Sequence, residues 1–221
     1  MNLLAIDTST ENASVALQVE GKITTQEHFG AQGHAQIMLP AIECLLRQMG
    51  IDLAELDGIV FGQGPGSFTG LRVACSLAKG LAYAHDLPVY PVSTLLAIRD
   101  IALNEKGNLD SRAEGVLAII DARMNQMYWS YATNTACDSQ EESVNFAKDV
   151  FVPGTAFICL AGVGWERYEH DFPPSMIERM VERVTIYPQA CAMIRLVEQG
   201  IVASVQASDA MPRYIRDKVT S

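Results

Sequence analysis

The sequence predicts an α/β protein of two lobes. Each lobe is built on a mixed sheet of the five-stranded type, and the second lobe is the smaller one. Three observations lead to this prediction. The first half reads as three strands followed by alternating helices and strands. The second half starts a shorter set of similar segments. Between them the chain turns polar around 104–114, as expected of a boundary between domains.

The first three predicted strands lie close together in the sequence. Leu3 to Ile6 is a short apolar run, and Ala13 to Val19 alternates between apolar and polar residues, as a half-buried strand does. Glu20 and Gly21 form a hairpin turn, and Lys22 to His28 is the third strand. A polar turn at 7–12 separates the first strand from the second.

Helices and strands then alternate. Helical periodicity is found over 34–49, 68–85 and 95–103, and short strands are predicted at 59–62 and 88–92. The resulting order β-β-β-α-β-α-β-α is that of a ribonuclease-H-like lobe. We therefore predict an N-terminal domain of this kind over residues 1–104.

The second half has fewer predicted elements. Strands are expected at 116–120, 126–132 and 157–161, and a helix at 190–199. We predict a smaller domain of the same kind over residues 105–205. Residues 206–221 are expected to form a tail that packs back on the body.

Composition limits the classes of function. The 221 residues are 49% hydrophobic, and 26 acidic against 16 basic residues give a net charge of −10. This balance disfavours unaided binding to nucleic acid, because Lys and Arg supply most of that affinity. If nucleic acid is involved, we expect another protein to hold it.

Cysteine usage and the N-terminus indicate the compartment. The five cysteines are scattered, contain no Cys-x-x-Cys pair, and suggest neither a zinc site nor a disulfide framework. The start of the chain has no basic segment followed by a long apolar core, so no signal peptide is expected. No uncharged apolar run approaches the ~18 residues of a membrane span. We expect a cytoplasmic protein with no membrane partner.

The most informative stretch is residues 62–72, Gly-Gln-Gly-Pro-Gly-Ser-Phe-Thr-Gly-Leu-Arg, between a predicted strand and a predicted helix. Its spacing fits neither the Walker A loop nor the dinucleotide-binding fingerprint. A glycine loop before a helix N-terminus, with Ser67 and Thr69 as N-cap candidates, can bind an anion. It can equally let a helix and a strand pack closely. Both interpretations stay open at this stage.

Four motifs together carry a resemblance to a known family. They are the N-terminal Asp-Thr-Ser-Thr at 7–10, the glycine loop, Pro-Val-Ser-Thr-Leu at 91–95 and Ile-Asp-Ala-Arg at 120–123. In these the chain resembles the TsaB (YeaZ) family of bacterial tRNA threonylcarbamoyladenosine synthesis. The resemblance spans most of the chain and is strongest over 1–130.

The resemblance implies a fold and a role. The family belongs to the ASKHA superfamily of actin and sugar kinases, which have two ribonuclease-H-like domains. It is paralogous to TsaD, the catalytic subunit that transfers a threonylcarbamoyl group to an adenosine of tRNA. The implied role is that of a non-catalytic partner of TsaD, joined by the ATPase TsaE. The chain alone is expected to form a homodimer, and to meet tRNA only through the complex.

The superfamily also implies remnants of phosphate-binding loops. In this sequence they correspond to Asp7, Thr8, Ser9 and Thr10, to Gly64, Pro65, Gly66 and Ser67, and to Gly162 and Gly164. The competing interpretation of Asp7 and Thr8 is a β-turn capped by side chains. We expect this chain to require no cofactor, and ATP or ADP at a subunit interface stays open. An active ATP-dependent phosphotransferase is the alternative function.

A metal site is not expected. The catalytic paralogue has His-x-x-x-His at the start of a helix, where two imidazoles share one face. The corresponding residues here are Thr94 and Ile98. No His-Glu-x-x-His or Gly-x-Ser-x-Gly motif supports a hydrolase. For His34 we expect capping or packing, and for Asp121 and Arg123 an ion pair rather than a role in a cleft.

An interface is predicted on two helices. Over 34–49, one apolar stripe contains Met38, Ile42, Leu45 and Met49, and a second contains Ile37, Ala41, Cys44 and Gln48. Packing on a sheet requires only one stripe. The helix 68–85 carries small residues at Gly70, Ala74, Ala78 and Ala82 that would permit close helix approach. The predicted interface residues are Ile37, Met38, Ala41, Cys44, Leu45, Gln48, Gly70, Ala74 and Ala78.

Overall fold

A computed structural model describes residues 1–30, 33–104, 110–134 and 141–216. The chain divides into two compact units. The first contains Met1–Ala97 and Pro188–Arg213, and the second contains Ile98–Tyr187 and the segment from Tyr214 onward. Each unit is built on one five-stranded mixed sheet, as predicted.

The sheet of the first unit has the strand order β3-β2-β1-β4-β5. Its strands are β1 (Leu3–Asp7), β2 (Asn12–Val19), β3 (Lys22–Phe29), β4 (Gly58–Gly64) and β5 (Val89–Ser93). The first three strands are antiparallel, whereas β4 lies parallel to β1 and to β5. The carboxyl ends of β1 and β4 therefore lie side by side.

Helices cover both faces of this sheet. The helices are α1 (His34–Met49), α2 (Phe68–His85) and, late in the chain, α5 (Ala190–Glu198), whereas α3 (Thr94–Asn104) follows β5 and runs from the first unit into the second. Residues that alternate along β1, such as Leu4 and Ile6, share a core cluster with α1 and α2. The intervening residues face α5, whose Met193 lies close to Gly62. Asp7, at the end of β1, is on this second face because side chains alternate along a strand.

The second unit repeats the strand order with less helix. From one edge to the other the order is β8-β7-β6-β9-β10. The strands are β6 (Gly115–Asp121), β7 (Gln126–Thr133), β8 (Ser143–Phe146), β9 (Ile158–Val163) and β10 (Met180–Thr185). The short helix α4 (Pro174–Ile177) and the 3-10 helix Trp165–Tyr168 lie between β9 and β10, and their Met176 and Tyr168 share a core cluster with Leu117 and Leu160.

The predicted order of elements is confirmed over 1–104, and the helices α1 and α2 have the predicted bounds. Two strands of the second unit, β8 and β10, were not predicted. Both are short edge strands, and β10 contains Glu182 and Arg183 with only half-buried positions between its ends. Such strands lack the apolar run or alternation on which sequence patterns depend.

The division of the chain differs from the predicted domain boundaries at two places. It falls within α3, and α5 belongs to the first unit instead of the 105–205 domain. The reason is that α5 packs on β1, β2 and β4 of the first sheet. Ser14 on β2 also accepts a hydrogen bond from the backbone N–H of Ala190, at 2.9 Å. A helix pattern shows which face is apolar but not which sheet it covers. Among the described residues, no helix combines the length and hydropathy that a membrane span requires.

Candidate functional site

The polar turn after β1 is buried. Asp7 and Thr8 have no exposed surface, and Ser9 and Thr10 are also buried. Oδ1 of Asp7 accepts hydrogen bonds from the backbone N–H of Ser9 at 3.1 Å and from its hydroxyl at 2.8 Å. This is the turn capped by a side chain that the sequence allowed as one of two interpretations.

The second oxygen of Asp7 is buried differently. Oδ2 has no hydrogen-bond partner in the described part of the chain. A methyl group built on Gly62 of β4 would lie 1.9 Å from it, so only glycine leaves room for the carboxyl group. Burial raises the pKa of Asp7 to about 7, although the two hydrogen bonds from Ser9 lower it. Asp7 is therefore a carboxyl group that changes charge near neutral pH.

The glycine loop packs directly on this turn. A Cβ on Gly70 would lie 1.8 Å from the carbonyl oxygen of Thr8, and one on Gly66 would lie 2.4 Å from that of Ser9. The Thr8 hydroxyl donates to the carbonyl of Gly70 at 2.7 Å. The backbone N–H of Ser67 donates to the carbonyl of Ser9 at 2.7 Å.

These contacts account for the glycines. Gly62, Gly66 and Gly70 permit close approach of the chain to residues 7–9, which is the second of the two interpretations of the loop. The predicted N-cap Ser67 is confirmed, because its hydroxyl accepts from the backbone N–H of Gly70 at 3.4 Å. The Gly64–Pro65 peptide bond is cis, and the Pro65 carbonyl accepts a hydrogen bond from the Thr94 hydroxyl.

The glycines of the second unit have a similar use. Gly162 has a φ of +140°, and a Cβ there would lie 1.9 Å from the carbonyl oxygen of Ile119 on the neighbouring strand β6. Gly164 has a φ of +78°, and a Cβ would lie 2.6 Å from that of Asp121. Gly162 therefore lets β9 lie close to β6, and Gly164 lets the chain after β9 lie close to Asp121, the last residue of β6.

Asp121 is surrounded by donors. Its Oδ1 accepts from the backbone N–H of Arg123 at 2.8 Å and from the Tyr168 hydroxyl at 2.9 Å. Its Oδ2 forms ion pairs with Arg167 at 3.0 Å and Arg123 at 3.5 Å. The predicted ion pair between Asp121 and Arg123 is confirmed. Sequence reasoning missed Arg167 and Tyr168, since no local spacing connects them to the hairpin.

The start of α3 has no pair of metal-binding side chains. The Thr94 hydroxyl is engaged by Pro65, and Ile98 is fully buried. Within the described residues, no three or more His, Cys, Asp or Glu side chains group in a way that could hold a metal ion. His34 is half-buried as the first residue of α1, and it follows Gly33, whose backbone is left-handed.

The two stripes of α1 have different environments. Met38, Ile42 and Leu45 are buried against the sheet, so the prediction that Met38 and Leu45 belong to an interface is wrong. Of the second stripe, Ile37 and Ala41 are half-buried, and Cys44 and Gln48 are exposed. A cavity of about 340 Å³ adjoins this stripe. It is lined by Gln26, Glu27 and His28 of β3 and by Gln36, Ile37, Met38, Pro40 and Ala41 of α1.

The small residues of α2 face inward. Gly70, Ala74 and Ala78 are buried, and α2 packs on β4 and β1. Their prediction as interface residues is therefore wrong. Small side chains let two helices approach, but they equally let a helix approach its own sheet, and the sequence pattern is the same in both cases. An arginine at Ala74 would enter the core of the chain.

The chain is similar to known proteins along most of its length. The family described as TsaD, tRNA N6-adenosine threonylcarbamoyltransferase, matches residues 21–217. The tRNA threonylcarbamoyladenosine biosynthesis protein TsaB of Haemophilus influenzae is 33% identical over 234 aligned residues, which cover 100% of this chain and 95% of that protein. The TsaB protein of Escherichia coli is 40% identical over 130 residues, covering 59% of this chain and 54% of that protein.

A solved structure is also similar along its whole length. YeaZ from Pseudomonas aeruginosa superposes with a TM-score of 0.85 at 36% identity, covering 96% of this chain and 99% of that one. The similarity therefore extends to both units and to the segment after α5.

Proposed function

We propose a function for this chain on the premise that it belongs to the TsaB (YeaZ) family of tRNA threonylcarbamoyladenosine biosynthesis proteins. It takes part in that biosynthesis. Its specific role is that of a non-catalytic partner subunit, which binds and activates TsaD together with the ATPase TsaE. The chain alone binds tRNA weakly, and it acts on tRNA only as part of this complex.

The observation that carries the proposal is the uncovered second stripe of α1. Its first stripe already packs on the sheet, and no described residue covers Cys44 or Gln48. The cavity beside Ile37 and Ala41 extends the apolar surface on this side of the unit. An apolar surface of this kind is typical of a protein–protein contact.

TsaD is the proposed occupant because it matches this chain in sequence over most of its length. A paralogue with the same helix in the same place can lay its own α1 against this one, as two identical subunits do about a two-fold axis. In the absence of TsaD, a second copy of this chain would cover the stripe. Homodimer and heterodimer would then exclude each other.

Two features of the chain support a non-catalytic role. The positions that would carry a histidine pair hold Thr94, which bonds to a neighbouring carbonyl, and the buried Ile98. The turn at 7–9 is buried beneath the glycine loop, where the Thr8 and Ser9 hydroxyls bond to the chain itself. Under this proposal the chain requires no cofactor of its own, and binding of ATP or ADP at a subunit interface stays a prediction that titration of the complex would test.

The test is the substitution Cys44→Arg, at an exposed position of the second stripe. We expect at least tenfold weaker binding of TsaD, and a shift of the isolated chain from dimer to monomer, because the contact would bury an unpaired charge. Binding can be measured by titration calorimetry, and mass by light scattering. Circular dichroism establishes that the variant is folded.

Leu39→Arg is the matched control. It adds the same charge to the same helix, at another exposed apolar residue on the far side from Cys44. We expect it to leave both associations within about twofold of the wild type. If folded Cys44→Arg binds TsaD as well as the wild type does, or if both variants lose it equally, the second stripe is not the contact.

A further inference from the structure

The hairpin between β6 and β7 has an unusual backbone. Arg123, Met124 and Asn125 have φ values of +62°, +53° and +58°, so three consecutive residues other than glycine are left-handed. Such conformations are costly, and they persist where the surrounding structure holds them. Here the backbone N–H of Ala122 donates to Gln126, and that of Gln126 donates to Arg123. The hairpin is held in a shape that presents Arg123 and Met124 to solvent.

Three arginines meet at this hairpin. Arg123 and Arg167 share the single carboxylate of Asp121, through the same oxygen. Arg216, from the segment after Tyr214 that belongs to the same unit, donates to the side-chain oxygen of Gln126 and contacts the sulfur of Met124 at 3.5 Å. The side chains of Arg123 and Arg167 are 73% and 64% exposed. We name Arg123, Arg167 and Arg216 the hairpin arginines.

The hairpin arginines leave donors unused. A guanidinium group has five N–H donors, and a carboxylate can pair with only part of two such groups. Asp121 therefore fixes the position of Arg123 and Arg167 while most of their donors face solvent. A planar group held in this way is suited to bidentate contacts with an oxyanion, more so than a lysine would be.

The local charge opposes that of the chain. The three arginines exceed Asp121 by two positive charges, whereas the whole chain carries −10. Glu166 and Glu169 flank Arg167 in sequence. Glu169 pairs with Arg183 at 3.6 Å, whereas Glu166, which accepts from the neutral Thr185 hydroxyl, keeps its charge and lowers the local excess to one. In an acidic protein, a fixed group of arginines on a strained and exposed hairpin needs an explanation beyond the local ion pair.

We propose that the hairpin arginines bind backbone phosphates of the RNA on which the complex acts. This inference rests on the proposed function for its choice of ligand. Arginines contact phosphates without reading the base sequence, and each contact adds to the salt dependence of binding. The site supplies a few contacts to an RNA that the complex holds, so its affinity in the isolated chain is weak and is best seen at low salt.

The experiment is a filter-binding titration of the full chain with unmodified tRNA between 50 and 200 mM salt, conditions over which phosphate contacts lose affinity steeply. The variant is Arg123→Gln with Arg167→Gln. We expect at least tenfold weaker binding at the lowest salt concentration, and a slope of log K against log salt that is smaller by about 1 for each arginine that contacts a phosphate. Arg123→Lys with Arg167→Lys should restore part of the affinity.

The matched control is Arg112→Gln. Arg112 is also exposed, lies in the same unit, and pairs one-to-one with Asp110. We expect it to leave tRNA binding within twofold of the wild type. Equal losses in the control and the double variant would overturn the proposal in favour of a general charge effect, as would an unchanged double variant.

Binding of TsaD and TsaE by the same variants separates this inference from the proposed function. If the double variant binds TsaD normally and loses tRNA, both stand. If it loses TsaD or TsaE but keeps tRNA, the hairpin arginines are a contact for an acidic protein surface and the phosphate site is wrong. If neither the wild type nor any variant binds TsaD, the proposed function is wrong, and the tRNA titration still tests the phosphate site by itself.

Discussion

Asp7 and Asp121 occupy the same place in two sheets of the same strand order, and their surroundings are opposite. Each is the last residue of the central strand, β1 or β6, and each lies beside a glycine of the neighbouring parallel segment. For Asp7 this is Gly62 of β4, and for Asp121 it is Gly164, directly after β9. Asp7 is fully buried, and one of its oxygens has no partner among the described residues. Asp121 receives two hydrogen bonds, from a backbone N–H and from the buried Tyr168, and two ion pairs from exposed arginines.

The difference shows how one topology supports two kinds of carboxyl group. In the first unit, a helix and a glycine loop cover the turn, so burial determines the pKa of Asp7. In the second unit the hairpin is exposed, and Oδ2 of Asp121 pairs with Arg123 and Arg167. The first carboxyl group can change its charge near neutral pH, and the second serves as a fixed point that orients its neighbours.

The largest effect is expected from breaking the close packing of the first turn. Gly70→Ala would place a methyl group 1.8 Å from the carbonyl oxygen of Thr8, which is backbone and cannot rotate away. We expect a loss of about 3 kcal/mol or more in the free energy of unfolding, the upper range for overpacking. Urea denaturation followed by circular dichroism measures it.

Gly80→Ala is the control for that substitution. Gly80 lies in the same helix, and nothing is within 4 Å of the Cβ position. Alanine should stabilise the helix there by about 0.5–1 kcal/mol. Equal effects at Gly70 and Gly80 would mean that the loop is not packed on the turn at 7–9.

The second effect is a dependence of folding stability on pH that arises from Asp7. The pKa of Asp7 is about 7 in the folded chain and near 4 in an unfolded one. Below pH 4 the carboxyl group is neutral in both states. As pH rises from 4 through 7 the unfolded state loses its proton first, so folding stability falls, by at most about 1.4 kcal/mol per pH unit from this group.

Asp7→Asn removes this contribution. The variant should match the wild type in unfolding free energy near pH 4, and should become progressively more stable than the wild type up to about pH 7. The comparison of urea midpoints at a series of pH values reveals it. Parallel curves for the two proteins would show that Asp7 does not titrate in this range.

The two carboxyl groups also show which parts of a site the sequence predicts. The strand–turn pattern located Asp7, and the Ile-Asp-Ala-Arg motif located Asp121 and its first partner. Burial of Asp7 depends on α5, whose sheet no local pattern identifies. Arg167, Tyr168 and Arg216 reach the hairpin through tertiary structure, from 46, 47 and 90 or more residues away.

The helices α1 and α2 likewise show that the sequence predicts a face but not its neighbour. The apolar stripes of α1 were predicted residue by residue, yet only the structure shows that Met38 and Leu45 face the sheet and Cys44 faces solvent. The row of small residues on α2 was interpreted as a sign of close approach between helices, but its neighbour is the sheet of its own unit. Periodicity defines faces, and contacts decide what each face meets.

The smallest effect is expected at the fixed carboxylate. Tyr168→Phe removes a single hydrogen bond of 2.9 Å to Oδ1 of Asp121, from a side chain that is otherwise buried in the core cluster of the second unit. Phenylalanine fills the same space, so we expect a loss of about 1 kcal/mol in the free energy of unfolding. Oδ1 keeps the backbone N–H of Arg123 as a donor, and the exposed ion pairs of Oδ2 contribute little.

A double-mutant cycle with Asp121→Ala, which removes the acceptor oxygen, assigns that loss. If the hydroxyl acts through Asp121, the two substitutions together should destabilise the chain by about 0.5–1 kcal/mol less than the sum of the single effects. Additive effects would show that the Tyr168 hydroxyl stabilises the unit through some other contact. No described tyrosine donates to Asp7. A coupled Asp121–Tyr168 pair would therefore mark the second unit as the one in which a hydrogen bond from a distant side chain holds the carboxyl group in position.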